Sequence, residues 1–277
     1  MKFTIGFSPC PNDTFIFDAL INQKIDTEDF EFEALLEDVQ TLNLWAISKK
    51  LDVSKISYGA LPLVLKDYLV LNSGGALGAG VGPLLIAKKQ NENILSTIEK
   101  FTVAIPGENT TAHMLFSYAF PSAANKQFLV FNEIEDAVLT GKADAGVIIH
   151  ENRFTYADKG LIKLMDLGEF WEKKTTAPIP LGGIIVKKDF DTEVQQKLDR
   201  LIRKSIEYSF NNYPVISSFV SNHSQEMSEE VMRKHINLYV NEFSLDLGEK
   251  GKAAIDKLLK VYADIHNSDA SYEEIFV

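Results

Sequence analysis

Two segments of this chain are built alike and stand about one domain length apart. Residues 82–89 read Gly-Pro-Leu-Leu-Ile-Ala-Lys-Lys, and residues 182–188 read Gly-Gly-Ile-Ile-Val-Lys-Lys. Each is a glycine-led apolar run of strand length that stops at a lysine pair. A chain that leaves one domain through the first and returns through the second encloses an insert of about 100 residues, a normal domain size. The expectation is an α/β protein of two lobes about a central cleft, joined by two crossover strands that act as the hinge. The larger lobe takes residues 1–87 and 186–277, and the smaller takes 88–185. With 277 residues the chain exceeds a typical single domain of roughly 100–150, so there is material for two cores.

Local patterns supply the elements. Residues 2–7 are strand-like, a Pro/Asn/Asp loop follows, and across 14–25 the apolar residues Phe15, Ile16, Ala19 and Leu20 recur at helical spacing. The same order returns at 101–116, where an apolar strand ending at Ile105 precedes a Pro106-Gly107 turn, and Thr110 and Thr111 open a helix. In 132–150 the order reverses. Asn132 reads as an N-cap with Glu135 three residues on, Gly141 as the C-terminal cap, and 145–149 as a buried strand that delivers His150 to its C-terminal end. Residues 60–70 read as helix. Residues 73–82 carry five glycines; no strand–helix context makes them a nucleotide fingerprint, and they read as a flexible approach to the hinge. Three helical stretches, 193–213, 228–240 and 248–266, are expected to pack back on the first lobe.

Charge narrows the function. With 39 acidic against 28 basic side chains the net charge is -11, which speaks against nucleic acid as a partner. It leaves open a small anion held by local donors such as helix N-termini and lysines. Cys10 is the single cysteine, so no internal disulfide forms. The opening apolar stretch is short and broken by Gly6 and Pro9, which argues for a cytoplasmic protein rather than a secreted one. No window approaches the roughly 18 apolar residues of a membrane span, so no membrane partner is expected. The oligomeric state is not written in the pattern.

Polar groups gather where elements join. In 8–14 two prolines stiffen a loop holding Ser8, Asn12 and Asp13; Asp13 either caps the following helix or lines a cleft. Cys10 reads as a small buried filler. Lys55 and Ser57 stand after a short strand, and Lys55 is equally a solvated edge lysine or a partner for an anion. The 107–112 loop is the best anion site, because the hydroxyls of Thr110 and Thr111 and successive N–H groups up to Ala112 meet at a helix N-terminus. An ordinary N-cap is the plainer alternative. Four histidines, His113, His223, His235 and His266, lie in helical patterns and read as packing or surface residues. His150 follows a strand directly, and an imidazole there suits a general base that works near neutral pH. No His/Cys/Asp group has metal-ligand spacing and no P-loop or G-x-S-x-G elbow occurs, so neither metal nor cofactor is expected.

Longer strings carry a resemblance: Gly-Phe-Ser-Pro-Cys-Pro-Asn-Asp-Thr-Phe-Ile-Phe at 6–17, Leu-Glu-Asp-Val at 36–39, Ser-Gly-Gly-Ala-Leu-Gly at 73–78, Val-Gly-Pro at 81–83 and Ile-Ile-His-Glu-Asn-Arg-Phe-Thr-Tyr at 148–156. Through these the chain closely resembles the 1,4-dihydroxy-6-naphthoate synthase family of the futalosine route to menaquinone, and the likeness continues to 239–246. The resemblance implies a periplasmic-binding-protein type II fold. It also implies a lyase that converts cyclic dehypoxanthine futalosine to 1,4-dihydroxy-6-naphthoate without a cofactor. His150 is the implied general base. Implied substrate contacts are Lys55, Ser57, Thr111 and Ala112, with Thr110 beside them and Asn12 and Asp13 in the opening motif. Asn109 stands where some relatives have histidine. The implied partner is a small aromatic carboxylate. Two alternatives share the fold: a solute-binding protein without chemistry, and the sibling enzyme chorismate dehydratase.

Overall fold

The computed structural model describes residues 1–224, 228–269 and 271–277. Strand β1 (Lys2–Phe7) buries Phe3, Ile5 and Phe7, and helix α1 (Pro11–Ile21) starts at a proline whose fixed φ and missing N–H suit a first turn. The helix thus begins three residues ahead of the expected Thr14. Strands β2 (Glu31–Leu36) and β3 (Val53–Ser57) flank β1 in parallel, with helix α2 (Val39–Ile47) between them in sequence. Asp38 caps α2 by accepting the N–H groups of Gln40 and Thr41.

Residues 60–70 are not one helix. They hold a single turn, α3 (Leu61–Val64), and then strand β4 (Tyr68–Val70), which pairs with a strand more than 100 residues later that local periodicity does not reveal. The glycine-rich stretch is not a free linker either. It forms β5 (Ala76–Gly78), which is buried, and the Ser73 hydroxyl donates to Asp199 at 2.7 Å.

The chain then builds β6 (Leu84–Lys88), β7 (Val103–Ile105), α4 (Thr111–Ala119), β8 (Lys126–Phe128) and α5 (Ile134–Thr140). The expected cap at Asn132 is not used, because a 3-10 turn over Phe131–Glu133 runs straight into α5. Gly141 closes that helix in the left-handed conformation at φ 78. Strand β9 (Ala145–Ile148), α6 (Asn152–Thr155), β10 (Leu161–Asp166) and α7 (Leu167–Thr175) follow. Strand β11 (Ile179–Lys187) leads into α8 (Thr192–Asn212), α9 (Ser218–His223), α10 (Glu229–Tyr239), α11 (Glu242–Leu245) and α12 (Gly248–His266).

Two sheets result. The first has the order β2-β1-β3-β11-β4, with β5 also paired to β11; the second has the order β10-β6-β9-β7-β8. Expected lobe limits at 87/88 and 185/186 fall inside β6 and inside β11. Sheet membership differs: β6 lies wholly in the second sheet and β11 wholly in the first, so the chain crosses before Leu84 and is back by Ile179. The two look-alike segments also do different work. Gly183 lies in mid-strand under Tyr58, whose hydroxyl would sit 2.1 Å from an added Cβ, so glycine there makes room for a ring rather than for bending.

One face of the first sheet is covered by α1, α8 and α10, where Phe7 and Phe17 stack at 4.4 Å and Ser205 and Ser209 donate to carbonyls of α1. On the other face a single apolar cluster joins Tyr58, Val70 and Leu77 of the first sheet's side to Leu85, Ile105 and Val147 of the second, with Leu258 of α12. No helix among the described residues is long and apolar enough to cross a membrane.

Candidate active site

Where the two sheets face each other, a cavity of about 90 Å³ opens. Lys55, Ser57, Asn12 and Asp13 line it from the first sheet and α1. Thr110, Thr111, Ala112 and His150 line it from the second sheet's side. The residues singled out in the sequence therefore meet around one space.

Their polar atoms are not equally available. Asp13 accepts the Ser8 hydroxyl at 2.7 Å and the Asn12 amide at 2.8 Å, and stands 3.4 Å from Lys55 Nζ. Lys55 also donates to the Gly74 carbonyl at 2.7 Å and is buried. It is neither a solvated edge lysine nor an isolated cation; it braces α1 against the glycine-rich stretch at the cavity wall. Asp13 is no helix cap, since the cap position is Cys10 and Asp13 reaches back to the Ser8 N–H at 3.2 Å.

Thr110 is the N-cap of α4: its hydroxyl accepts the His113 N–H at 3.1 Å and donates to the Gly107 carbonyl. The Thr111 hydroxyl accepts the Gly59 N–H at 2.9 Å and donates to the Leu181 carbonyl at 2.6 Å. Both hydroxyls are thus spent within the protein. Helix geometry leaves the N–H groups of Thr111 and Ala112 without an intrahelical acceptor, at residues that line the cavity, and the helix dipole adds positive potential there. The loop ahead is held from the other lobe: Gln40 accepts the Asn109 N–H at 3.0 Å, and the Asn43 amide donates to the Asn109 carbonyl at 2.7 Å. At position 109 the backbone carries this contact.

His150 stands two residues past the end of β9 in a left-handed conformation, φ 56, which only a minority of residues with a side chain adopt. Its ring packs edge-on against Phe131 at 4.9 Å. Burial pushes its pKa down to about 4, with His235 adding to the effect and Glu151 opposing it. The imidazole is therefore neutral at physiological pH and able to accept a proton. Burial would raise the Glu151 carboxyl, but His235 and His150 beside it hold it down at about 2. Arg153 turns away from the cavity. Its guanidinium donates to the carbonyls of Gly80 and Gly82 and pairs with Asp166, fastening the segment through which the chain enters the second sheet.

His235 is the residue that sequence reading misplaced. It lies on α10 as its pattern required, but it is wholly buried at the cavity, its ring 6.0 Å from that of His150 and 4.7 Å from that of Tyr239. Tyr239 lines the cavity too, four residues on, and that i,i+4 spacing ahead of the family-like 239–246 string was the available signal. Cys10, His150 and Glu151 each offer one ligand atom within 4.8 Å of the others. Burial pushes the Cys10 thiol well up in pKa, so with nothing bound it is held as the thiol.

Comparison with known proteins gives the chain its relatives. The profile of a family described as menaquinone biosynthesis matches residues 3–264. A 1,4-dihydroxy-6-naphthoate synthase of Thermus thermophilus is 42% identical over 254 residues, covering 92% of this chain and 91% of the relative. A crystal structure of an Archaeoglobus fulgidus protein superposes with a TM-score of 0.89 at 31% identity, covering 96% of this chain and 98% of that one. The periplasmic aliphatic sulphonate binding protein of Escherichia coli superposes with a TM-score of 0.65 at 10% identity, covering 96% of this chain and 88% of that one, a likeness of fold alone.

Proposed function

The chain belongs to the menaquinone biosynthesis family, and on that premise we propose that it works as a 1,4-dihydroxy-6-naphthoate synthase whose general base is His150. The substrate is cyclic dehypoxanthine futalosine and the reaction a lyase-type cleavage, as the sequence resemblance implies. A biosynthetic role of this kind fits a cytoplasmic protein. The observation that carries the mechanism is the pairing, across one cavity, of a neutral imidazole with the N-terminus of α4.

An aryl carboxylate suits the N–H groups of Thr111 and Ala112, where helix dipole and unmatched donors coincide. Ser57 and the apolar walls formed by Val81, Ile149 and Leu181 bound the aromatic portion. So placed, the sugar-derived ring lies toward His150, which removes a proton and starts ring opening, loss of the fragment and aromatisation. General-base catalysis of this kind is worth about 10²–10⁴ in rate.

The test is incubation of the purified protein with cyclic dehypoxanthine futalosine, no metal or cofactor added, with product followed by mass spectrometry. Naphthoate from the wild type, and a fall of about 10²–10⁴ in kcat for a folded His150→Ala variant, is the expected outcome. Binding without product would make this a solute-binding protein, and near-wild-type turnover by His150→Ala would remove His150 from the chemistry.

A further inference from the structure

Asn12 has a fixed orientation. Its Nδ2 donates to Asp13 Oδ1 at 2.8 Å, and because an ionised carboxylate only accepts, the Asn12 oxygen is the atom turned toward His235. His235 Nε2 stands 3.0 Å from that oxygen and so carries a hydrogen. The other ring nitrogen, Nδ1, faces Glu151 Oε2 at 3.4 Å, an ion-pair separation. Among the described residues, Nδ1 and both Glu151 carboxylate oxygens are buried with no hydrogen-bond partner. With His235 neutral and Glu151 ionised, two electron-rich atoms would confront each other and both would remain unsatisfied. A proton on Nδ1 removes the conflict and gives the buried carboxylate its donor.

We propose that His235 is a positioning residue that carries a hydrogen on both ring nitrogens, one donated to Asn12 and one aimed at Glu151, and that this imidazolium–carboxylate pair keeps the adjacent His150 neutral and ready to take the substrate's proton. The consequence for catalysis rests on the reading of His150 as the base; the protonation state of His235 does not. The rings of His150 and His235 are 6.0 Å apart and inclined by only 20°, so charge on one opposes charge on the other.

Every packed element contributes to this balance. Asn12 and Asp13 come from α1, with Cys10 at its start; Asp13 is ion-paired with Lys55 of β3. Tyr239 stacks obliquely on His235 from the same helix, and Phe131 closes the far side of His150. Burial drives His150 toward neutrality and His235 adds to it, against the pull of Glu151, Asp13 and Asp38.

The experiment reads the rings directly, by two-bond ¹H–¹⁵N spectra of ¹⁵N-histidine-labelled full-length protein, assigned with His150→Gln and His235→Gln. At pH 7 both His235 nitrogens are expected in the protonated range, while His150 shows one protonated and one bare nitrogen. In Glu151→Gln, His235 Nδ1 loses its proton. In His235→Gln, whose amide can still donate to Asn12, the His150 midpoint rises by about two pH units, the coulombic effect of one charge at 6.0 Å in an effective dielectric of about 20. The acid limb of kcat/KM moves up with it, whereas loss of packing alone would lower kcat without moving the limb. A bare nitrogen on wild-type His235 at pH 7, or an unmoved His150 midpoint in a folded His235→Gln, overturns the proposal. The wild-type spectrum decides the protonation state even if a variant fails to fold. Activity retained by His150→Ala would defeat the assigned base while leaving the His235 spectrum to stand or fall by itself.

Discussion

Acid reaches this site through single residues. His150 has a pKa of about 4 in the fold against 6.5 when unperturbed, so between those values the unfolded chain holds a proton that the folded one does not. Acidification across that window therefore favours unfolding. His113 is lowered as well, chiefly by burial, and adds to the same slope. Glu151, depressed from 4.5 to about 2, stabilises the fold fully above pH 4.5 and loses that contribution as pH falls further. Urea midpoints measured at stepped pH are expected to fall steadily as the pH drops from 6.5 to 4. His150→Asn, which suits the left-handed backbone, should make that fall shallower without removing it. An unchanged slope would show that the His150 ring is not shielded from solvent protons.

At the scale of elements, α4 carries the clearest burden, because its first turn both begins a helix and faces the cavity. Thr110→Ala removes the cap and should cost about 1 kcal/mol of stability, while KM rises more than kcat falls. Thermal denaturation and steady-state kinetics on the same preparation separate the two effects. This helix was legible in the sequence because caps and turns act between neighbours: Pro106, Gly107 and Thr110 announce it, as Gly141 announces the end of α5. The elements that were not legible are those made by distant partners. Tyr68–Val70 becomes a strand only because β11 pairs with it, and His235 becomes part of the site through Asn12, 223 residues earlier. A helical repeat shows that a histidine faces a core, but not what that core contains. The family-like strings hold Asn12, Asp13, Val81, Ile149 and His150 of the cavity wall but not Leu181 or Gly182, and the strand at 84–88 shows no sign of belonging to the second sheet, since an apolar run does not say which sheet it joins.

On the scale of the whole molecule, the lobes touch through backbone. An added Cβ at Gly59 would lie 2.6 Å from the Thr110 carbonyl carbon and oxygen, and the Gly59 N–H already binds the Thr111 hydroxyl. Gly59→Ala should therefore wedge α4 away from the first sheet. Overpacking of this sort costs about 1–3 kcal/mol, which, borne by the closed form, predicts a KM raised about fivefold to 150-fold. X-ray scattering should show the wild type contracting with ligand and the variant contracting less; identical contraction would mean that the lobes close elsewhere. Nor are the two lobes independent bodies, for one apolar cluster runs from Tyr58 and Val70 through Leu258 to Leu85 and Val147. Neither half keeps a complete interior if the other melts. In a scanning calorimeter the protein should accordingly give one endotherm with equal calorimetric and van 't Hoff enthalpies, where two lobes strung on bare linkers would give two.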